Sequence, residues 1–74
     1  MIDKIKEIIS TVFQVDTANI KGDFSPKDTE KWDSLNHMKL IMALEKEYKI
    51  MFDANEVPKM INIGVIEKTI TNKI

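Results

Sequence analysis

Apolar residues recur in this chain at steps of three and four, the spacing that gathers side chains on one face of a 3.6-residue helix. Ile2, Ile5, Ile8, Ile9, Val12 and Phe13 make one such stripe, and Leu40, Ile41, Leu44 and Tyr48 make a second. Ile63, Ile66, Ile70 and Ile74 make a third. A helix with one apolar face has to bury it against a neighbour, and here the neighbours are the other helices. The pattern therefore predicts an all-α fold. It is a small four-helix bundle, three longer helices and one short one, with a long ordered loop between helices one and two.

Breakers and caps set the boundaries. The first helix is expected from about residue 2 to 14. Between Val15 and Asp33, Gly22, Pro26 and several Asp, Ser, Thr and Asn residues break any sustained period. A loop of that length in a small domain needs apolar pins of its own, and Ile20, Phe24 and Trp32 are expected to face inward in that role. The second helix is expected over Leu35 to Tyr48. After Ile50 and Phe52, Asp53 or Asn55 is positioned to cap a short helix with Pro58 in its first turn, where the missing N–H costs little. Val57, Met60 and Ile61 would be its buried side. Asn62 is the expected cap of the last helix, which Gly64, Thr69 and Thr71 make weak by propensity and dependent on packing.

With 74 residues, no cysteine, two Gly and two Pro, residues 1–74 read as one small domain without a disulfide staple. A core of this size nets only about 3–5 kcal/mol, and there is little room to enclose both a substrate and a catalytic pocket. The formal net charge is -1, with lysines interspersed among acids, which argues against a nucleic-acid partner. Met1-Ile2-Asp3-Lys4-Ile5-Lys6 alternates charge with apolar residues, so it reads neither as a signal peptide nor as a membrane span. A cytoplasmic location and, without heptads, a monomeric state are expected. One histidine and no cysteine offer no metal-ligand spacing. Any thiol chemistry would have to arrive on a prosthetic group.

Trp32-Asp33-Ser34-Leu35 puts a serine where an extended loop turns into a strongly amphipathic helix. The ordinary role of such a serine is an N-cap, and the ordinary role of Asp33 is a cap or first-turn acid offsetting the helix dipole. The same features favour an anion at this position, so a phosphodiester on Ser34 would be well placed. Trp32 reads as a loop anchor. His37, three residues after Ser34, invites a nucleophile–base pairing. That reading lacks an orienting carboxylate, an oxyanion hole and a cleft, and His37 is expected to be an exposed polar residue.

Asp33-Ser34-Leu35 resembles the attachment motif of the acyl carrier protein family, and Leu40-Ile41-Met42-Ala43-Leu44-Glu45 resembles the stretch of the family's second helix that follows. The resemblance covers essentially the whole chain. It implies that a phosphopantetheinyl transferase moves 4′-phosphopantetheine from coenzyme A onto Ser34, with Asp33 helping the transferase engage its substrate and metal. The arm's thiol would then carry acyl groups as thioesters, loaded by an acyl- or aminoacyl-loading ligase and passed to downstream acyl-transferring enzymes. On this view the chain is a non-catalytic carrier. The family pattern makes Leu35 and Met42 partner contacts, and Asn36, Met38, Lys39, Glu45 and Lys46 complete the expected docking surface.

Two departures from the family pattern stand out. Fatty-acid carriers typically show an acidic face along the second helix, whereas here the corresponding positions read Asn36, Lys39, Glu45 and Lys46. Residues 34–50 hold three lysines (39, 46, 49) against two glutamates (45, 47), a net of +1 in a chain of -1. Steering by a basic partner would be weaker, which points to a specialised biosynthetic pathway rather than housekeeping fatty-acid synthesis. The glycine of the family's Leu-Gly-x-Asp-Ser-Leu-like turn is also absent, since the chain reads Glu30-Lys31-Trp32 there. Alternatives are an aminoacyl, peptidyl or D-alanyl carrier sharing Ser34, and a cofactor-free helical interaction module in which Ser34 only caps a helix.

Overall fold

The structure, a computed structural model, describes all 74 residues. Three helices carry it: α1 (Ile2–Phe13), α2 (Ser34–Tyr48) and α3 (Ile63–Thr71), with α1 packed against both of the others. The short fourth element is one 3₁₀ turn, Val57–Lys59, and there are no strands. Each stripe becomes a wall of one core. Ile5, Ile9 and Phe13 of α1, Leu40, Ile41 and Leu44 of α2, and Ile63, Ile66 and Ile70 of α3 are all buried. The core is entirely apolar, so its stability rests on burial and fit rather than on internal polar pairs.

Both long helices end in the same way. Gln14 (φ 57°, ψ 48°) and Lys49 (φ 56°, ψ 48°) adopt the left-handed conformation, and the next residue donates its N–H back into the last turn: Val15 to the Ser10 carbonyl, Ile50 to that of Glu45, each at 3.2 Å. This is the Schellman arrangement, whose following apolar residue folds back onto the helix. Val15 and Ile50 pack against the core accordingly. Neither left-handed residue is glycine, so each carries a steric cost of roughly 1 kcal/mol. Tyr48, at the end of α2, is half-buried with its hydroxyl shielded and unpartnered. Burial and the adjacent Glu47 push its pKa up.

The loop between α1 and α2 is ordered by its own chemistry. Asp16 accepts from the Ala18 N–H at 3.0 Å and starts a 3₁₀ turn at Thr17–Asn19. Ser25 and Asp28 form a reciprocal capping box around a second, Pro26–Asp28. Ile20, Phe24 and Trp32 are buried as the spacing predicts. Trp32 stacks on Phe24 with ring centroids 6.0 Å apart and tilts against Phe13 at 5.0 Å. The loop is thereby fastened to the end of α1, and Lys31 Nζ donates to the Gln14 carbonyl as a further tie.

Three expectations at the other end need correction. No side chain of Asp53 or Asn55 caps the short element; the Asp53 carbonyl instead accepts from the Glu56 and Val57 N–H groups. Met60 is fully buried and Val57 half-buried, but Ile61 is 45 % exposed, because the chain turns between them to enter α3. Ile74 is 66 % exposed, since α3 stops at Thr71 and the last apolar step falls outside the helix. Asn62 caps α3 as expected, accepting from Val65 N–H at 2.8 Å. The C-terminal segment is held by Lys73, whose ammonium meets Glu56 at 2.9 Å. The Asp53 N–H bond and, next, Lys73 keep the Glu56 carboxyl below the usual carboxylate range, while Glu56 raises Lys73.

Candidate functional site

The start of α2 is built by Asp33, not by Ser34. Asp33 Oδ1 accepts from the Asn36 N–H at 2.8 Å, and its carbonyl accepts from His37 N–H at 2.8 Å. Ser34 is therefore the first helical residue, exposed, with its hydroxyl free of the capping role. The Ser34 and Leu35 N–H groups are left open at the positive end of the helix dipole. An exposed hydroxyl, two open N–H donors and the dipole coincide at one corner of the molecule. That combination suits an anionic group esterified at the hydroxyl.

A shallow groove of about 380 Å³ opens beside Ser34. Trp32, His37, Met38, Val57, Pro58 and Ile61 border it, so its wall is predominantly apolar. The outward turn of Ile61, which the periodicity missed, supplies part of that wall.

His37 departs most from its expected role. It is half-buried rather than exposed. Its Nδ1 accepts from Trp32 Nε1–H at 2.9 Å, which fixes the tautomer with the proton on Nε2, and Nε2–H then donates to the Val57 carbonyl at 2.8 Å. The two rings meet edge to edge, 25° from coplanar with centroids 6.2 Å apart. One ring thus joins the loop, α2 and the Val57–Lys59 turn. With both nitrogens engaged, neither is free to take a proton from Ser34. A sequence signal for this existed: His37 sits at the helical spacing of Leu40, Ile41 and Leu44, on the core side of α2.

Of the residues expected on the docking surface, five lie together. Leu35 is 66 %, Met38 48 % and Met42 63 % exposed, and Lys39 and Lys46 are exposed with them. Asn36 and Glu45 are turned aside. The Asn36 amide donates to the Lys31 carbonyl at 2.7 Å, and the Glu45 carboxylate accepts from Phe52 N–H at 2.9 Å. No three His, Asp or Glu side chains converge where a metal ion could be held. No helix is long and apolar enough to cross a membrane.

No family model matches the chain. It is similar to the acyl carrier protein of Clostridium acetobutylicum, 37% identical over 62 residues that span 84% of this chain and 80% of that protein. The acyl carrier protein of Thermosynechococcus vestitus is 28% identical over 74 residues, 100% of this chain and 91% of that one. A polyketide synthase acyl carrier protein of Streptomyces avermitilis is 28% identical over 60 residues, 81% and 71% of the two chains. Among solved structures, the solution NMR structure of a holo acyl carrier protein from Geobacter metallireducens superposes with a TM-score of 0.84 at 36% identity, covering 97% of this chain and 83% of that one.

Proposed function

The chain belongs to the acyl carrier protein family, and we propose that Ser34 is its attachment point for 4′-phosphopantetheine, on which it carries acyl groups. The observation that carries this reading is the division of labour at the start of α2. Asp33 does the capping, which leaves Ser34 exposed and uncommitted beside two open N–H groups.

When bound, the prosthetic group supplies the thiol that a chain without cysteine lacks. Ser34 holds it as a phosphodiester, and the helix dipole favours the negative charge there. Asp33 has a second use as a carboxylate beside the modified hydroxyl, supporting engagement by the phosphopantetheinyl transferase. The exposed line of α2 that begins at Leu35 meets the loading ligase and the downstream enzymes. The protein binds and presents its cargo and catalyses nothing, which agrees with both His37 nitrogens being engaged. It works as one domain and a monomer in the cytoplasm. Tethering raises the effective concentration of the cargo at each enzyme. Lys39 and Lys46 on the docking surface support assignment to a specialised pathway rather than housekeeping fatty-acid synthesis.

Incubation with coenzyme A and a broad-specificity phosphopantetheinyl transferase tests the reading. The protein is expected to gain the mass of one phosphopantetheine, and Ser34→Ala is expected to abolish the gain. No gain, or a gain that survives Ser34→Ala, overturns it. Preference of the modified protein for aminoacyl over acyl adenylates would reassign the cargo to an amino acid.

A further inference from the structure

The exposed side of α2 separates its charges by sign. At about 100° per residue, Leu35, Lys39, Met42 and Lys46 fall within about 30° of a common line along the helix. That line runs opposite the buried Leu40 and Leu44. Neither lysine takes part in an ion pair, the salt bridges of the chain lying elsewhere. The two glutamates of α2 lie on its flanks and are engaged. Glu45 accepts from Phe52 N–H at 2.9 Å, and Glu47 faces Lys4 of α1 at 3.9 Å. The outermost strip is thus apolar and cationic without an acid in it, although the chain as a whole is -1.

Leu35 and Met42, at 66 % and 63 % exposed, are large apolar residues left in water with Met38 beside them, and exposed apolar residues gathered on one face inside a polar rim mark a surface that another protein covers. We propose that this strip docks an enzyme whose receiving surface is an apolar depression rimmed by aspartates and glutamates. The inference rests on Ser34 as the attachment point, because a partner acting there must lie over the first turn of α2, where the strip begins. Two lysines spaced seven residues apart are too few to hold a lipid surface or a nucleic acid, which recruit clusters of basic residues. They suffice as rim charges, which set encounter rate and reject partners of the wrong sign.

The test uses the phosphopantetheinylated protein with a photo-crosslinker replacing Met42, in extract of its native cells. The enzyme captured is purified, and its kcat/KM on the uncrosslinked carrier is measured against NaCl concentration. Lys39→Glu/Lys46→Glu, at positions free of internal partners, is expected to fold normally by circular dichroism, to accept phosphopantetheine and to lower kcat/KM at least about tenfold with kcat little changed. Added salt lowers the wild-type rate, and reversing two rim acids of the enzyme to lysine restores the doubly reversed carrier. A kcat/KM within twofold of wild type, a rate that salt leaves unchanged, failure to capture any enzyme, or capture instead by anionic phosphatidylglycerol vesicles each overturns the proposal. If even the wild-type chain fails to accept phosphopantetheine, the carrier reading itself has failed; acceptance with indifference to charge reversal defeats the acidic partner alone.

Discussion

Replacing His37 with leucine keeps an apolar side chain of similar bulk on the core side of α2 but removes both hydrogen bonds of the imidazole. The Trp32 Nε1–H then loses its acceptor, and the Val57 carbonyl loses its donor. Each such bond nets about 1 kcal/mol, and because the site is half-buried water re-forms part of what is lost, so the expected cost is about 2 kcal/mol. Against the roughly 3–5 kcal/mol a core of this size supplies, that is close to half the stability. For a domain of this length it corresponds to a fall in Tm of about 8–16 °C. Urea unfolding followed by circular dichroism measures the loss directly. A double-mutant cycle with Trp32→Phe isolates the indole bond and is expected to give a coupling of about 1 kcal/mol. His37→Leu within about 0.5 kcal/mol of wild type, the range of ordinary surface substitutions, or strict additivity in the cycle, would refute the clamp.

Gln14→Gly relieves a left-handed residue at the end of α1 and is expected to raise stability by about 1 kcal/mol, read as a higher urea midpoint at unchanged slope. Asp33→Asn keeps a capping side chain while removing the charge, so it should leave stability nearly unchanged and slow transfer of phosphopantetheine; Asp33→Ala should slow the transfer as well and, by losing the cap, cost about 1 kcal/mol of stability. A folded-state pKa below the unfolded value means that Glu56 stabilises the chain above the ordinary carboxylate range, and that this contribution is lost as pH falls through its lowered value. Glu56→Gln should therefore lower Tm at neutral pH, flatten the acid side of a Tm-against-pH profile, and show a smaller difference from wild type in high salt.

Where physical signals are local, the residues announced their own structure. The Ile-rich stripe of α1 gave its length and its buried face, Asn62 its cap, and Ile20, Phe24 and Trp32 their inward turn. What escaped depends on tertiary company. His37 looks polar and solvent-facing by residue type, and only the convergence of Trp32 and Val57 on its two nitrogens makes it a structural link. Glu45 belongs by spacing to the outer half of α2, yet an unpaired N–H at Phe52 draws it aside. Ile61 and Ile74 continue helical spacing across positions where the chain has already turned or ended. At the candidate site, the motif residues Asp33 and Ser34 were legible, but their division into cap and free hydroxyl was not. Both residue types serve as N-caps, and the backbone alone decides which stands first.

The most direct measurement is the intact mass of this protein purified from its native cells, with fragment spectra locating any added group. The account predicts one phosphopantetheine per chain, on Ser34 and nowhere else. Protein recovered wholly unmodified, or modified at another residue, would contradict it.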